Sequence, residues 1–419
     1  MSHPTARRGE IFSWTLFDFA NTGFYVIIIS LVFPVFFTGT IAGGDDAYWG
    51  RTISASMLIT AILGPLFGSI ADATSRKKLL LGVFTAACVV ATAGLYFTGA
   101  GTLWAAVILL IIANVGFEGG TVFYDAFLPE IASEESYGRI SGYGFAMGYL
   151  GSFIILMIVM PILSAENVAE SDVRFTFMLA AGFFAVFSLP LFFFVKERGI
   201  RRAIEGNALA AGYRRLRETL THLRRYKSVE RFLIAFFVYN DSILTVITFA
   251  AIFASNTLKL GTKDLIIFFM IVQGSALVGS LVFGTLTNRI GARGSIVITL
   301  IIWIGVVVSA YFITTASAFF VLGAVAGIAL GSSQSCSRAM MALLTPEEKR
   351  TEFFGFYDGF FGKASAVVGP LVFGEVSSRL GQRPAMLVIG IFFILGIFLV
   401  LRVPDVRAGD TAAEIAPAS

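Results

Sequence analysis

The 419-residue chain is 57% hydrophobic and only 14% charged, with a net charge of +4 and a mean hydropathy of +0.83. A soluble domain carries about 25% charged residues, so this composition excludes an ordinary soluble domain and describes a polytopic membrane protein. The cations sit in loops between apolar runs, which excludes a nucleic-acid partner, and the two cysteines, Cys88 and Cys336, fall inside apolar runs as small buried residues rather than a disulfide framework.

A bilayer needs about 20 mostly apolar residues per helix. Arg7 and Arg8 precede an apolar stretch over 11–38, too long for the roughly 7–15-residue core of a signal peptide and therefore a first span. Eleven further spans follow at 48–72, 79–99, 103–131, 138–163, 173–195, 230–256, 264–288, 295–315, 317–344, 351–378 and 383–402. Gly64-Pro65 in span 2 and Gly369-Pro370 in span 11 occupy matching places, where proline interrupts the hydrogen-bond ladder and glycine allows bending or close packing. Between spans 6 and 7, Leu209, Tyr213, Leu216, Leu220 and Leu223 recur at helical spacing among arginines. That pattern describes an amphipathic linker on an anionic membrane surface. The tail after Pro404 is short, small and polar, and is expected to be disordered.

With both termini placed inside, the inner segments hold 23 Lys and Arg and the outer loops six; the positive-inside rule therefore predicts cytoplasmic termini. The chain also repeats itself. Gly68 to Lys78, with Asp72 and Arg76, is echoed by Gly284 to Arg293, with Asn288, at an offset of 216; Leu128-Pro129-Glu130 is echoed by Thr345-Pro346-Glu347 at 217, and Gly142-Tyr143 by Gly355-Phe356 at 213. Three offsets this close imply a duplicated six-helix unit.

Ionisable groups inside a bilayer cost roughly 2.5–3.5 kcal/mol each, so each asks for a reason. Span 1 carries Asp18, Asn21 and Tyr25 on one face; span 4 carries Asn114, Glu118 and Asp125; span 7 carries Tyr239, Asn240 and Asp241, with Thr245 and Thr248; span 10 carries Gln334 and Arg338; span 11 carries Tyr357, Asp358 and Lys363. Glu118 and Asp241 sit near mid-span, where a proton site is physically sensible. Asp18 reads equally as a functional acid or as a structural partner of Arg139 or Arg338. Asp125 lies toward the cytoplasm and suits an inner gate. Arg338 and Lys363 either neutralise these acids or receive an anionic substrate group. His3 and His222 are the only histidines and lack metal-ligand spacing, and no P-loop is present; no cofactor or metal is expected, and the residues form no enzyme motif.

The doubled loop resembles the one between the second and third helices of each half in major facilitator transporters. The resemblance implies an all-α membrane fold of twelve helices in two pseudo-symmetric six-helix bundles. Helices 1, 4, 7 and 10 then line the substrate path, while 3, 6, 9 and 12, poor in mid-span charge, face lipid. It also implies a gating role for Asp72, Arg76, Asn288 and Arg293. More specifically, Trp14 to Asn21 with Tyr25, Phe33-Pro34 and Phe37, then Tyr239-Asn240-Asp241, then Gln334, Ser337-Arg338, Glu352 to Tyr357, Gly362-Lys363 and Gly369-Pro370 resemble the unknown major facilitator family. That family includes fungal autophagy-related vacuolar amino-acid effluxers. Phe19, Thr22 and Ser242 depart from its usual residues, which bears on substrate fit.

The expected organisation is an N-terminal bundle over 1–198, a basic linker over 199–228, a C-terminal bundle over 229–405 and a tail over 406–419. The expected function is proton-coupled secondary transport of a small polar or zwitterionic solute such as an amino acid, with export slightly favoured. Its partners are the solute, protons and the bilayer, in a monomer of a prokaryotic inner membrane. The competing readings are export of an amphipathic compound or lipid, and a sensor that no longer transports.

Overall fold

In the computed structural model the described residues are 8–73, 77–131, 137–165, 167–198, 226–345, 353 and 355–405. Among them every regular element is helical. The first six are α1 (Arg8–Ile41), α2 (Asp46–Ala73), α3 (Lys77–Phe97), α4 (Leu103–Asp125), α5 (Tyr137–Leu163) and α6 (Glu170–Phe194). The next six are α7 (Lys227–Asn256), α8 (Thr262–Ile290), α9 (Ala292–Phe312), α10 (Ala316–Leu344), α11 and α12 (Gln382–Val400). α11 has a first arm through Gly355–Phe361 and Gly362–Ala364 and a second arm, Val368–Leu380. The linker up to residue 225 and the tail from 406 lie outside the described residues.

Most spans match the expected ones to within a few residues, and two differ for local reasons. Span 4 ends at Asp125, with a separate helical turn at Leu128–Ile131, because the ring of Pro129 would collide with the carbonyl four residues earlier. Span 11 is two arms rather than one rod. Within α1, π-helical stretches at Tyr25–Leu31 and Phe37–Ile41 flank Pro34; such wide turns absorb a ladder that a mid-helix proline has broken.

Two connections consist of a single glycine. Gly291 (φ +82°) and Gly381 (φ +90°) end α8 and α11 and open α9 and α12. Each donates its N–H to a carbonyl one turn back, Thr287 O at 3.0 Å and Ser377 O at 2.8 Å. The left-handed backbone that this requires favours glycine.

The chain forms two compact units, Met1–Gly44 with Ala55–Leu216 and Asp45–Ser54 with Arg217–Ser419. The first turns of α2 thus group with the second unit. In the first unit α1 packs on α5 and α6, and α3 packs on α4 and α6; in the second, α8 packs on α10, and α12 packs on α7, α9 and α11. α1 and α7 are the most enclosed, with 78% and 67% of their apolar windows buried against 33% for α3. Each shows a single exposed large hydrophobic, Phe12 and Ile234, whereas α3, α6, α9 and α12 display several each. Ten helices are long and apolar enough to cross a membrane by length and composition among the described residues.

Close backbone approach sets the α8–α10 contact. Gly323, Gly327 and Gly331 recur every four residues along one edge of α10. A Cβ would stand 2.3 Å from the Phe268 ring at Gly323, 2.4 Å from Val272 O at Gly327 and 1.8 Å from Ala276 O at Gly331. Small residues at this spacing let helices pack within a membrane, where dispersion rather than water exclusion drives association.

Candidate functional site

In the first unit the polar face of α1 is built around Asp18. The Tyr124 hydroxyl of α4 donates to Asp18 Oδ2 at 2.7 Å, and the Asn21 amide makes a long 3.5 Å contact with Oδ1. Trp14 stacks on Tyr124, with ring centroids 4.5 Å apart, and donates its indole N–H to the Tyr124 carbonyl at 3.2 Å. α4 and α1 are thereby joined through one phenol, and the carboxylate sits against Gly144 of α5, where a Cβ would lie 2.3 Å from Oδ2. The side chain of Arg139, one suggested partner of Asp18, lies outside the described residues.

Farther along α4, Asn114 donates its amide to Ser56 Oγ of α2 at 2.8 Å and approaches Met57 Sδ at 3.5 Å. It is a strut between helices. Glu118, one turn on, is buried at 7% exposure and lies within electrostatic reach of Tyr25 on α1; the Phe117 ring packs 6.1 Å from that of Tyr25. Asp125 is exposed at the end of α4.

In the second unit the α7 string Tyr239-Asn240-Asp241 grips two other helices. The Tyr239 hydroxyl pairs with Ser337 Oγ of α10 at 2.7 Å. The Asn240 amide donates to Ser365 Oγ at 2.6 Å, and Asp241 Oδ1 accepts the N–H of Gly369 at 2.9 Å, both in α11. Asp241 is buried at 3% exposure. Tyr357 of α11 is buried against Phe236 of α7, centroids 4.3 Å apart. Arg338 and Lys363 are half-buried and Gln334 is exposed.

The expected gating residues divide. Arg76 and the side chains of Asp72 and Asn288 lie outside the described residues. Arg293 reaches the segment after α12, donating to Val403 O at 3.2 Å and facing Asp405 at 3.7 Å.

Sequence reasoning missed several partners. Tyr124 and Ser365 carry no pattern of their own, and Ser337 stands in a family-like string that does not give its partner; only the fold brings the three to Asp18, Asn240 and Tyr239. It also missed a polar cluster at one end of the first unit. Arg198 donates to both oxygens of buried Glu10 (2.9 and 2.7 Å) and gives its backbone N–H to Glu130 Oε2 (2.7 Å), while Lys77 Nζ meets Glu130 Oε1 (2.7 Å). These four residues are far apart in sequence, so no spacing announces them. Another cluster joins the second arm of α11 and the first residue of α12 to the first turns of α2: Ser377 Oγ and Gln382 Nε2 donate to Asp46 Oδ2 (2.6 and 2.7 Å), and Arg51 pairs with Glu375 at 2.5 Å.

Among the described residues, twelve helices, ten of them long and apolar enough to cross a membrane, with acids and amides on α1, α4 and α7, are those of a multi-pass major facilitator transporter. Solved structures share that fold. The nucleoside transporter NupG matches with a TM-score of 0.73 at 14% identity, over 94% of this chain and 99% of its own. A D-xylose-proton symporter matches with a TM-score of 0.68 at 13% identity, over 96% and 97%. The family model "Vacuole effluxer Atg22 like" matches residues 44–138 and 134–414, and the chain belongs to that family. Among its relatives, the uncharacterized MFS-type transporter YxiO of Bacillus subtilis is 32% identical, over 96% of both chains. Autophagy-related protein 22 of Eremothecium gossypii is 23% identical over 98% of this chain and 93% of that one. The protein is a secondary transporter of this branch.

Proposed function

We propose that the protein is a proton-coupled carrier of a small zwitterionic solute such as an amino acid, working by alternating access in a prokaryotic inner membrane with both termini cytoplasmic. The observation that carries this reading is the burial of two mid-helix carboxylates, Glu118 at 7% and Asp241 at 3% exposure. An ionisable side chain placed inside a transmembrane bundle asks for a functional reason, and carrying the coupled proton is the one this reading assigns. Asp18, held by Tyr124, is a third acid in this reading. In this reading the acids suit the ammonium of a zwitterion and Arg338 and Lys363 its carboxylate, with Asn21 and Tyr25 in the first unit and Tyr239, Asn240, Gln334 and Tyr357 in the second as further polar side chains. Asp72, Arg76, Asp125, Asn288 and Arg293 serve gating in this reading. Proton coupling accords with the name of the D-xylose-proton symporter that shares the fold, and export with the effluxer name of the family.

The test is a thermal-shift screen of the purified protein with amino acids, short peptides, nucleosides, sugars and lipids at two pH values. A ligand at 100 times its dissociation constant adds about 2.7 kcal/mol of stability. Stabilisation by a subset of amino acids, altered by pH and lost in Asp241→Asn, is the expected result. Stabilisation by lipids or amphiphiles alone would replace this reading with export of an amphipathic compound.

A further inference from the structure

α11 turns tightly in its middle. The N–H of Ser365 still reaches Phe361 O at 3.0 Å, but that of Ala366 bonds Lys363 O at 3.3 Å in a three-residue turn, and the helix resumes at Val368. Pro370 accounts for the interruption, since its ring would meet the carbonyl of Ala366 in a continuous helix and it has no N–H to offer.

Two consecutive side chains of α7 hold the two sides of this break. Asn240 Nδ2 donates to Ser365 Oγ (2.6 Å), and that hydroxyl donates on to Gly362 O (2.8 Å), so Asn240 grips the end of the first arm. Asp241 Oδ1 accepts the N–H of Gly369 (2.9 Å), in the first turn of the second arm. The first N–H groups of a helix lack intrahelical partners and its dipole favours negative charge there, so the carboxylate is a cap supplied by another helix. The fit leaves no room at residue 369: a Cβ would stand 2.1 Å from Thr245 Oγ1 and 2.9 Å from Asp241 Oδ1. Thr245 is in turn bonded to the Asp241 carbonyl at 2.6 Å.

The first unit contains a related arrangement. Asp18 and Thr22, again four residues apart, face Gly144 and Gly148 of α5; a Cβ on Gly144 would lie 2.3 Å from Asp18 Oδ2, and Thr22 Oγ1 donates to Gly148 O at 2.8 Å. There α5 is continuous through these glycines and the acid takes its proton donor from Tyr124. In α11 the break frees a backbone N–H, and the acid turns to it.

We propose that Asn240 and Asp241 form a latch on a hinge at residues 365–369, and that movement of the second arm about this hinge is a step of the transport cycle. This goes beyond the carrier reading and does not require Asp241 to carry the coupled proton. The second arm transmits the movement along its length. Its far end holds Asp46 through Ser377, and its near end packs Pro370 O against Gly50, where a Cβ would come within 2.2 Å. Release of Gly369 is therefore felt at the first turns of α2.

The test uses the full-length protein in lipid nanodiscs, spin-labelled at Leu281→Cys on α8 and Leu380→Cys at the end of the second arm. Both positions are exposed, and the native cysteines are buried. Asp241→Ala and Ser365→Ala should shift or broaden the distance distribution between the labels. Asp241→Asn, whose amide oxygen still accepts from Gly369, should reproduce the wild-type distribution. Unchanged distances in both alanine variants would overturn the latch, as would Asp241→Asn behaving like Asp241→Ala. Ser365→Ala deletes one hydroxyl and keeps the question decidable if Asp241→Ala does not fold. Proton-driven flux is read separately in Asp241→Asn: normal flux with a wild-type distribution would remove the coupling reading and leave the latch standing.

Discussion

Asn114 and Glu130 show how differently a polar residue can serve inside a bundle. Asn114 lies on a span expected to line the solute path, and its amide is committed to Ser56 on the neighbouring helix. Interhelical hydrogen bonds in membranes are worth about 0.6–1.7 kcal/mol. Asn114→Ala should therefore lower stability by that amount, measured by thermal inactivation in detergent, whether or not transport changes. Glu130 is engaged by Lys77 and by the backbone of Arg198. Removing one partner costs about 3–5 kcal/mol for a fully buried ion pair and about 0–1 kcal/mol for an exposed one; this partly buried pair, its side chains 13% and 9% exposed, lies toward the buried end of that range. Glu130→Ala should thus be markedly less stable than Asn114→Ala; equal effects in the two variants would contradict this ranking. The acids themselves were legible in the sequence, because a carboxylate within an apolar run is conspicuous. Their partners were not, since Tyr124 and Ser365 are ordinary residues until folding brings them into range.

Helix by helix, much was readable from apolar length alone, and the misplaced features trace to proline. Pro129 ends α4 early, Pro34 sits between two π-helical stretches of α1, and Pro370 divides α11. Gly369-Pro370 pointed to bending, but the side chains that hold the bend come from α7 and could not be read from α11. The glycines at 323, 327 and 331 are a legible packing signal of another kind, with small residues at four-residue spacing. Gly331→Ala should destabilise by about 1–3 kcal/mol through overpacking, since its Cβ would meet Ala276 O at 1.8 Å. Gly305→Ala in α9, where a Cβ meets nothing within 4 Å, should be neutral or stabilising by up to about 1 kcal/mol. Comparing the thermal inactivation of the two variants checks the account; a neutral Gly331→Ala would refute the close α8–α10 contact.

At the scale of the whole molecule, the duplication was visible as three sequence offsets and the family as several strings spread along the chain. Both follow from features that repeat or recur regardless of partner contacts. Solute and direction leave no such trace, because they depend on a few side chains whose chemistry is shared by many carriers. The assignment of Glu118 and Asp241 to proton movement is the claim on which the functional account turns. Its most direct test is proton flux in proteoliposomes that hold a trapped pH indicator, with a mixture of the proteinogenic amino acids added outside. The account predicts an amino-acid-dependent pH change with the wild-type protein that is lost in both Glu118→Gln and Asp241→Asn. Amino-acid flux without any pH change, or a pH change of wild-type size in both variants, would contradict it.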